Sequence, residues 1–182
     1  MRHKSILFVL LVFAIGVTAS VALGASPHFK KGGTPRCTIS GSGTNNTSTT
    51  CTGTIAGLGG GDVTINVTVA GFAVYQCQNG GGNTAPGQNR VQVGPSTTPT
   101  NIDSGAIKNG NLTFTTNPAL LSAANTVSGS AAGCPNANWT GVNPQLTITS
   151  IELKIAQNGV FYDCTVSDPN GLSGTVSFPA SC

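Results

Sequence analysis

The stretch QLTITSIELKIAQNGVFYDCTV, residues 145–166, predicts a strand pairing residue by residue. Asn158-Gly159 is the two-residue signature of a type I′ hairpin turn, because both central positions need φ above zero and Asn and Gly adopt it at least cost. With Gln157 facing Val160, counting outward sets Ala156 against Phe161, Ile155 against Tyr162, Lys154 against Asp163, Leu153 against Cys164, Glu152 against Thr165 and Ile151 against Val166. In that register Ile151, Leu153 and Ile155 share one face with Tyr162, Cys164 and Val166, and a one-residue slip would turn them all outward. The same register makes Lys154 and Asp163 a cross-strand ion pair, so apolar pattern and charge pattern agree.

Working outward, the start of the chain is of a different kind. Residues 1–24 open with Arg2, His3 and Lys4, run through an apolar core at 6–17 and end in the small residues Ala22-Leu23-Gly24. That is the build of a secretory signal peptide cut after Gly24. Its apolar core is shorter than the ~20 residues a membrane-spanning helix needs. A basic leader follows at 25–36 (ASPHFKKGGTPR), expected to be flexible, and then one domain at 37–182.

The net charge of +3 belongs to the early residues. From Cys37 onward Arg90, Lys108 and Lys154 face Asp62, Asp103, Glu152, Asp163 and Asp168, a net of −2. A nucleic-acid partner has no electrostatic footprint in such a domain. Charged residues are 7% of the chain, against about 25% in ordinary soluble domains. Solubility therefore rests on Thr, Ser, Asn and Gly.

Six cysteines follow the signal, as suits an oxidising compartment where disulfides persist. Six allow fifteen pairings, and sequence alone does not choose among them. Spacing ranks them: Cys37 and Cys51 bracket a polar loop, Cys164 and Cys182 bracket the last turn and strand, and Cys77 and Cys134 remain. No CxxC pair and no histidine partner supports zinc instead.

Residues 62–77 alternate Val63, Ile65, Val67 and Val69 with Thr64, Asn66 and Thr68, the period of a half-buried strand, and Gly71 is the natural place for a bend or bulge. The inward parity continues through Ala73, Tyr75 and Cys77, leaving Phe72 and Val74 outward or under a second element. Val91 and Val93 restart a strand that Pro95 to Pro99 ends, and Lys108-Asn109-Gly110 turns into Leu112 and Phe114. ALLSAA, residues 119–124, is the one candidate helical turn. A parity change between Ile148 and Ile151 marks a bulge, and Asp168-Pro169-Asn170-Gly171 a turn before a last strand with Val176 and Phe178. The sum is an all-β chain: a single antiparallel β-sandwich of about 7–9 strands, stapled by disulfides.

Candidate chemistry is limited first by histidine. His28, in the leader, is the only one after the signal, so no Ser-His-Asp or Cys-His set forms inside the domain. Glu152 and Asp163 lie diagonally on one face of the hairpin, and two carboxylates define a glycosidase. The ion pair with Lys154 accounts for Asp163 more simply. Asp62, Asp168 and Asn170 are oxygen donors in turns, but they match no calcium-loop spacing and are the residues turns use for their own backbone; no metal and no cofactor is expected. N-x-[ST] triplets at Asn45, Asn46, Asn66, Asn111 and Asn138 are close to the number this composition produces by chance and so are weak evidence for glycosylation. The candidate binding surface is Trp139 with Asn136 and Asn138, beside the loop holding Asn79, Asn83, Gln88 and Asn89. An aromatic ring among amides suits a sugar or a peptide.

CTGTIAGLGGGDVTINVTV, NGGGNTAPGQN, KNGNLTF, CPNANWT and the hairpin, together spanning 51–166, resemble a group of small, uncharacterised secreted bacterial proteins with an immunoglobulin-like β-sandwich. The resemblance implies an extracellular sandwich and no activity. The chain departs from true immunoglobulin domains in the order and spacing of Cys77, Trp139 and Cys164. The expectation is thus a noncatalytic module, released to the medium or the periplasm, structural or adhesive, with a surface polysaccharide or a protein as partner. Carbohydrate binding through Trp139 is the alternative, and a glycosidase using Glu152 and Asp163 the third reading.

Overall fold

The computed structural model describes residues 26–179 and Cys182; the expected signal peptide lies outside them. Its elements in chain order are β1 (His28–Phe29), β2 (Arg36–Ser40), β3 (Asn46–Ala56), β4 (Val63–Gln78), β5 (Thr84–Pro86), β6 (Val91–Ile102), β7 (Leu112–Thr115), β8 (Ala119–Ser122), β9 (Val127–Ser128), α1 (Gly129–Ala132), β10 (Thr140–Ala156), β11 (Val160–Leu172) and β12 (Thr175–Ser177). Four of these strands, β1, β5, β9 and β12, have only two or three residues, so the expected 7–9 strands correspond to twelve segments among the described residues.

The alternation in β4 does what period two requires: Val63, Ile65, Val67 and Val69 are fully buried, and so are Ala73 and Cys77 beyond the glycine. β4 pairs antiparallel with β10 along nearly its whole length. The second sheet grows from that pair, with β11 and β9 sharing the far edge of β10 and β6 and β5 sharing the far edge of β4. The first sheet is built on β3, with β2 and β1 along one side, β7 and β8 along the other, and β12 beyond β2. All pairings are antiparallel.

Ile39 and Ile55 of the first sheet meet Ile65, Val67, Leu153 and Ile155 of the second in one core, sealed by Phe114, Leu121 and Phe178. Each such side chain contributes about 1.5–3 kcal/mol on leaving water. The outward face of the first sheet carries Thr38, Thr50, Thr52, Thr54, Thr113 and Thr175, some of them linked across strands through their hydroxyls, such as Thr54 to Thr113 at 3.2 Å. This is where the missing charge is replaced.

The hairpin register is the expected one from Ile151–Val166 to Ile155–Tyr162. At the tip it differs: Ala156 pairs with Val160, and Gln157 stands outside the ladder. Asn158 and Gly159 do take positive φ, 54° and 140°. The connection is therefore three residues long, 157–159, rather than two, and the Gln157 side chain is bonded to another loop. Its Nε2 donates to the carbonyls of Gly59 (3.0 Å) and Gly61 (2.9 Å), and its Oε1 accepts from Gly59 N–H at 3.0 Å.

A bend crosses the second sheet at one level. Register slips occur at Thr149 on β10, next to Gly71 on β4, and at Gly94-Pro95 on β6. Gly71 is required there, since a Cβ would run into the carbonyl of Thr147. β6 continues through Pro95 and Pro99 rather than ending, because on an edge strand the absent N–H faces away from the ladder. On β11 the segment Asp168 to Gly171 is an excursion within one strand, not the turn before the last one. Phe72 is buried beneath the Arg90 guanidinium, 4.3 Å from the ring centroid.

Two further expectations change. ALLS is strand β8, with Ala119 and Leu121 buried and Leu120 exposed, because pairing with Asn46 to Thr49 outweighs the helix propensity of Ala and Leu; the helical turn is α1, capped by Ser128. The leader is docked, not free. Lys30 N–H donates to Thr54, Thr54 N–H donates to Gly33, and Phe29 stacks on Tyr162 at 4.2 Å.

Disulfides join Cys37 to Cys51, Cys77 to Cys134 and Cys164 to Cys182. The first lies between directly opposed residues of β2 and β3, and the second fastens β4 to the segment after α1. The third ties the C-terminal residue to β11. Loops of 14, 57 and 18 residues correspond to about 3–4 kcal/mol each in the chain-entropy account.

Candidate functional site

The outer edge of β10 is occupied by β9 at Thr140 and Gly141 and by β11 from Ile148 onward. Between them the edge is open, and the β2–β3 connection fills it: Leu146 N–H donates to Thr44 at 3.0 Å, and Gly43 N–H reaches the Leu146 carbonyl at 3.5 Å. A loop of the first sheet thereby completes an edge of the second. Opposite Gln76 and Val74 of β4, β10 carries an extra residue between Val142 and Gln145. Asn143 takes φ 51°, as Asn tolerates best among residues with a Cβ. Such a bulge re-aims its side chain, and Asn143 Nδ2 donates to Gln76 Oε1 at 3.0 Å.

Two recesses meet at Gln145. One, about 410 Å³, is lined by Gly43, Thr44, Asn45, Asn125, Asn143 and Pro144 as well as Gln145. The other, about 260 Å³, runs along Val74, Gln76, Thr84, Ala85 and Pro86. The amides of the first are pre-set: Asn46 Nδ2 donates to Asn45 Oδ1, and Asn45 Nδ2 donates to Asn125 Oδ1, both at 2.9 Å. Among the described residues the Gln145 side chain has no hydrogen-bond partner, and Asn125 Nδ2, Gln76 Nε2 and Asn143 Oδ1 are unused. Among the described residues the one ionisable side chain lining either recess is Tyr75, whose hydroxyl donates to the Ala124 carbonyl at 2.9 Å and whose pKa burial raises. The pair of recesses therefore presents uncharged donors and acceptors beside a short apolar wall.

The residues expected to bind are brought together at the end of β4, by the Cys77–Cys134 bond and by Asn89, whose main chain donates to Ala132 at 3.1 Å. Their amides serve the loops themselves. Asn79 Oδ1 accepts from Gly81 and Asn83 N–H, Asn136 Oδ1 accepts from Asn138 N–H, and Asn89 Nδ2 donates to Ser130 and Ala131. Trp139 is half-buried against the core, its main-chain N–H donating to the Asn136 carbonyl. The side chains of Asn83, Gln88 and Asn138 are exposed, and neither recess described above includes any of these residues.

Lys154 stands between two carboxylates, 2.9 Å from Glu152 Oε1 and 3.6 Å from Asp163 Oδ2. The expected partner Asp163 is thus joined by a closer one. The hydrogen bond that Lys154 donates to Glu152, ahead of the Asp163 charge, holds its ammonium above the usual pKa against a smaller effect of desolvation. The triad lies on the outward face of a hairpin, away from both recesses. Asp168 accepts from Asn170 N–H at 2.8 Å, the self-bonding that turns use, whereas Asp62 accepts from Ser104 N–H at 2.8 Å and so ties its loop to a distant one.

Sequence reasoning passed over Asn45, Asn125, Asn143, Gln145 and Gln76. The available signal was Asn143-Pro144 directly ahead of the strand, with Gln145 the first outward residue after it. No family model, no curated protein and no solved structure matches this chain.

Proposed function

We propose that the chain is a noncatalytic secreted module, an immunoglobulin-like sandwich acting outside the cell or in the periplasm as a structural or adhesive element. The observation that carries the reading is the make-up of its recesses. The two that meet at Gln145 are walled by amides, hydroxyls and short apolar side chains, whereas the carboxylates of Glu152 and Asp163 are tied to Lys154 on an open strand face. Recognition needs neutral donors and acceptors of that kind, and acid–base chemistry needs carboxylates facing a cleft. Three disulfides suit an oxidising medium.

The test is to express the full chain with its own leader, recover it from the medium and incubate it with oligosaccharide, ester and peptide substrates. The module reading expects retention on envelope polysaccharide without product release. Product release that disappears in a Glu152→Gln/Asp163→Asn double variant would replace it with a glycosidase.

A further inference from the structure

We infer that the paired recesses at Gln145 hold a neutral oligosaccharide. The inference rests on the binding-module reading and names its ligand class and its site, which is not the Trp139 surface.

Three observations lead there. First, the polar groups left unused are mixed: donors on Asn125 and Gln76, an acceptor on Asn143, and both on Gln145. A sugar hydroxyl is donor and acceptor at once, so neighbouring hydroxyls match side-chain amides better than any single-sign group does. Second, three of the four amides, all but Gln145, are held before a ligand arrives. Asn45 fixes Asn125 and Gln76 fixes Asn143, so little side-chain freedom is lost on binding. Third, among the described residues no carboxylate, guanidinium or ammonium lines either recess, and a charged ligand would leave water without a compensating partner. The wall of Val74, Ala85 and Pro86 offers an apolar surface to the C–H face of a sugar ring. An extended peptide would instead be taken up through main-chain ladder bonds, and here β10's open edge is already filled by residues 43 and 44.

Isothermal titration of the full secreted chain tests the assignment. The probes are short neutral oligomers of glucose, mannose, xylose and N-acetylglucosamine, with an acidic oligogalacturonate and a proline-rich peptide as comparators. At least one neutral oligomer is expected to bind. Gln145→Ala is expected to weaken it about tenfold, the loss of one or two hydrogen bonds. Asn125→Asp keeps the bond from Asn45 and exchanges a donor for an acceptor, and is expected to weaken it at least as much; Trp139→Phe leaves it unchanged. Both altered positions are exposed, and unchanged unfolding midpoints show that the variants fold. The inference is overturned if no neutral oligomer binds, if the acidic oligomer or the peptide binds better, or if binding ignores Gln145→Ala and Asn125→Asp. Each of those results leaves the noncatalytic module standing, because only product release removes it.

Discussion

Thr49 is fully buried on the inward face of β3, between Ile39 on β2 and Ala119 on β8, and its Oγ1 has no hydrogen-bond partner among the described residues. Thr47, two residues along the same face, is in the same condition at 3% exposure. A buried hydroxyl without a partner costs about 1–3 kcal/mol by mutational measure. Valine has nearly the same shape, suits a strand equally well and replaces that hydroxyl with a methyl. Thr49→Val is therefore expected to stabilise the domain by about 1–3 kcal/mol, or roughly 3–9 °C in Tm for a domain of this size. Guanidinium unfolding with the disulfides intact should show a higher midpoint at an unchanged slope, the mark of a stability change rather than an altered denatured state. Thr49→Ser, which keeps the hydroxyl and opens a small cavity, should lower it. If Thr49→Val destabilises as much as Thr49→Ala, the hydroxyl has a partner and the reasoning is refuted.

Gly71→Ala should cost upwards of about 2 kcal/mol, because the new Cβ meets the Thr147 carbonyl at the bend shared by β4 and β10; an unchanged midpoint would show the bend to be soft. Gln157→Ala removes three hydrogen bonds to Gly59 and Gly61 and should cost about 1–3 kcal/mol, with amide exchange accelerating at 59–61 before anywhere in the core. The tyrosine pKa values raised by burial at Tyr75 and Tyr162, and the raised value at Lys154, act in one direction. Groups whose folded pKa is raised stabilise fully below their unfolded values and lose that contribution as pH rises through the folded ones, so unfolding midpoints should fall above about pH 10. Tyr75→Phe should start from a lower midpoint, having lost the bond to Ala124, and then decline less steeply with pH.

The hairpin was legible because two patterns, aliphatic alternation and the Lys154–Asp163 charges, select one register. Its tip was not: Gln157 is bonded to residues 98 positions away, and no local rule carries that information. The same division runs through the rest. β4 can be read from its alternation, whereas the passage of β6 through Pro95 depends on its place at an edge, a property of the assembled sheet. Four residues, ALLS, are too few for propensity to decide against a waiting partner strand. For the candidate site, Trp139 stood out by residue type, and the structure spends its neighbouring amides on the loops. Asn45, Asn125 and Gln145 meet only because a loop of one sheet fills a gap in the other, which brings together three segments with no shared motif.

The three disulfides follow one another along the chain without overlapping, since 37–51, 77–134 and 164–182 are separate intervals. Under tension applied at the two ends, the load passes through each sulfur bridge and bypasses the residues it encloses. Only 51–77 and 134–164 are then free to lengthen, at about 3.3–3.6 Å per residue. Even wholly unfolded, the molecule would stay on a short leash between Cys37 and Cys182, with the first half of β3, all of β6, β7 and β8 and most of β11 unable to pay out as slack. An element that holds a surface against flow would gain from that limit, and a reducing environment would remove it.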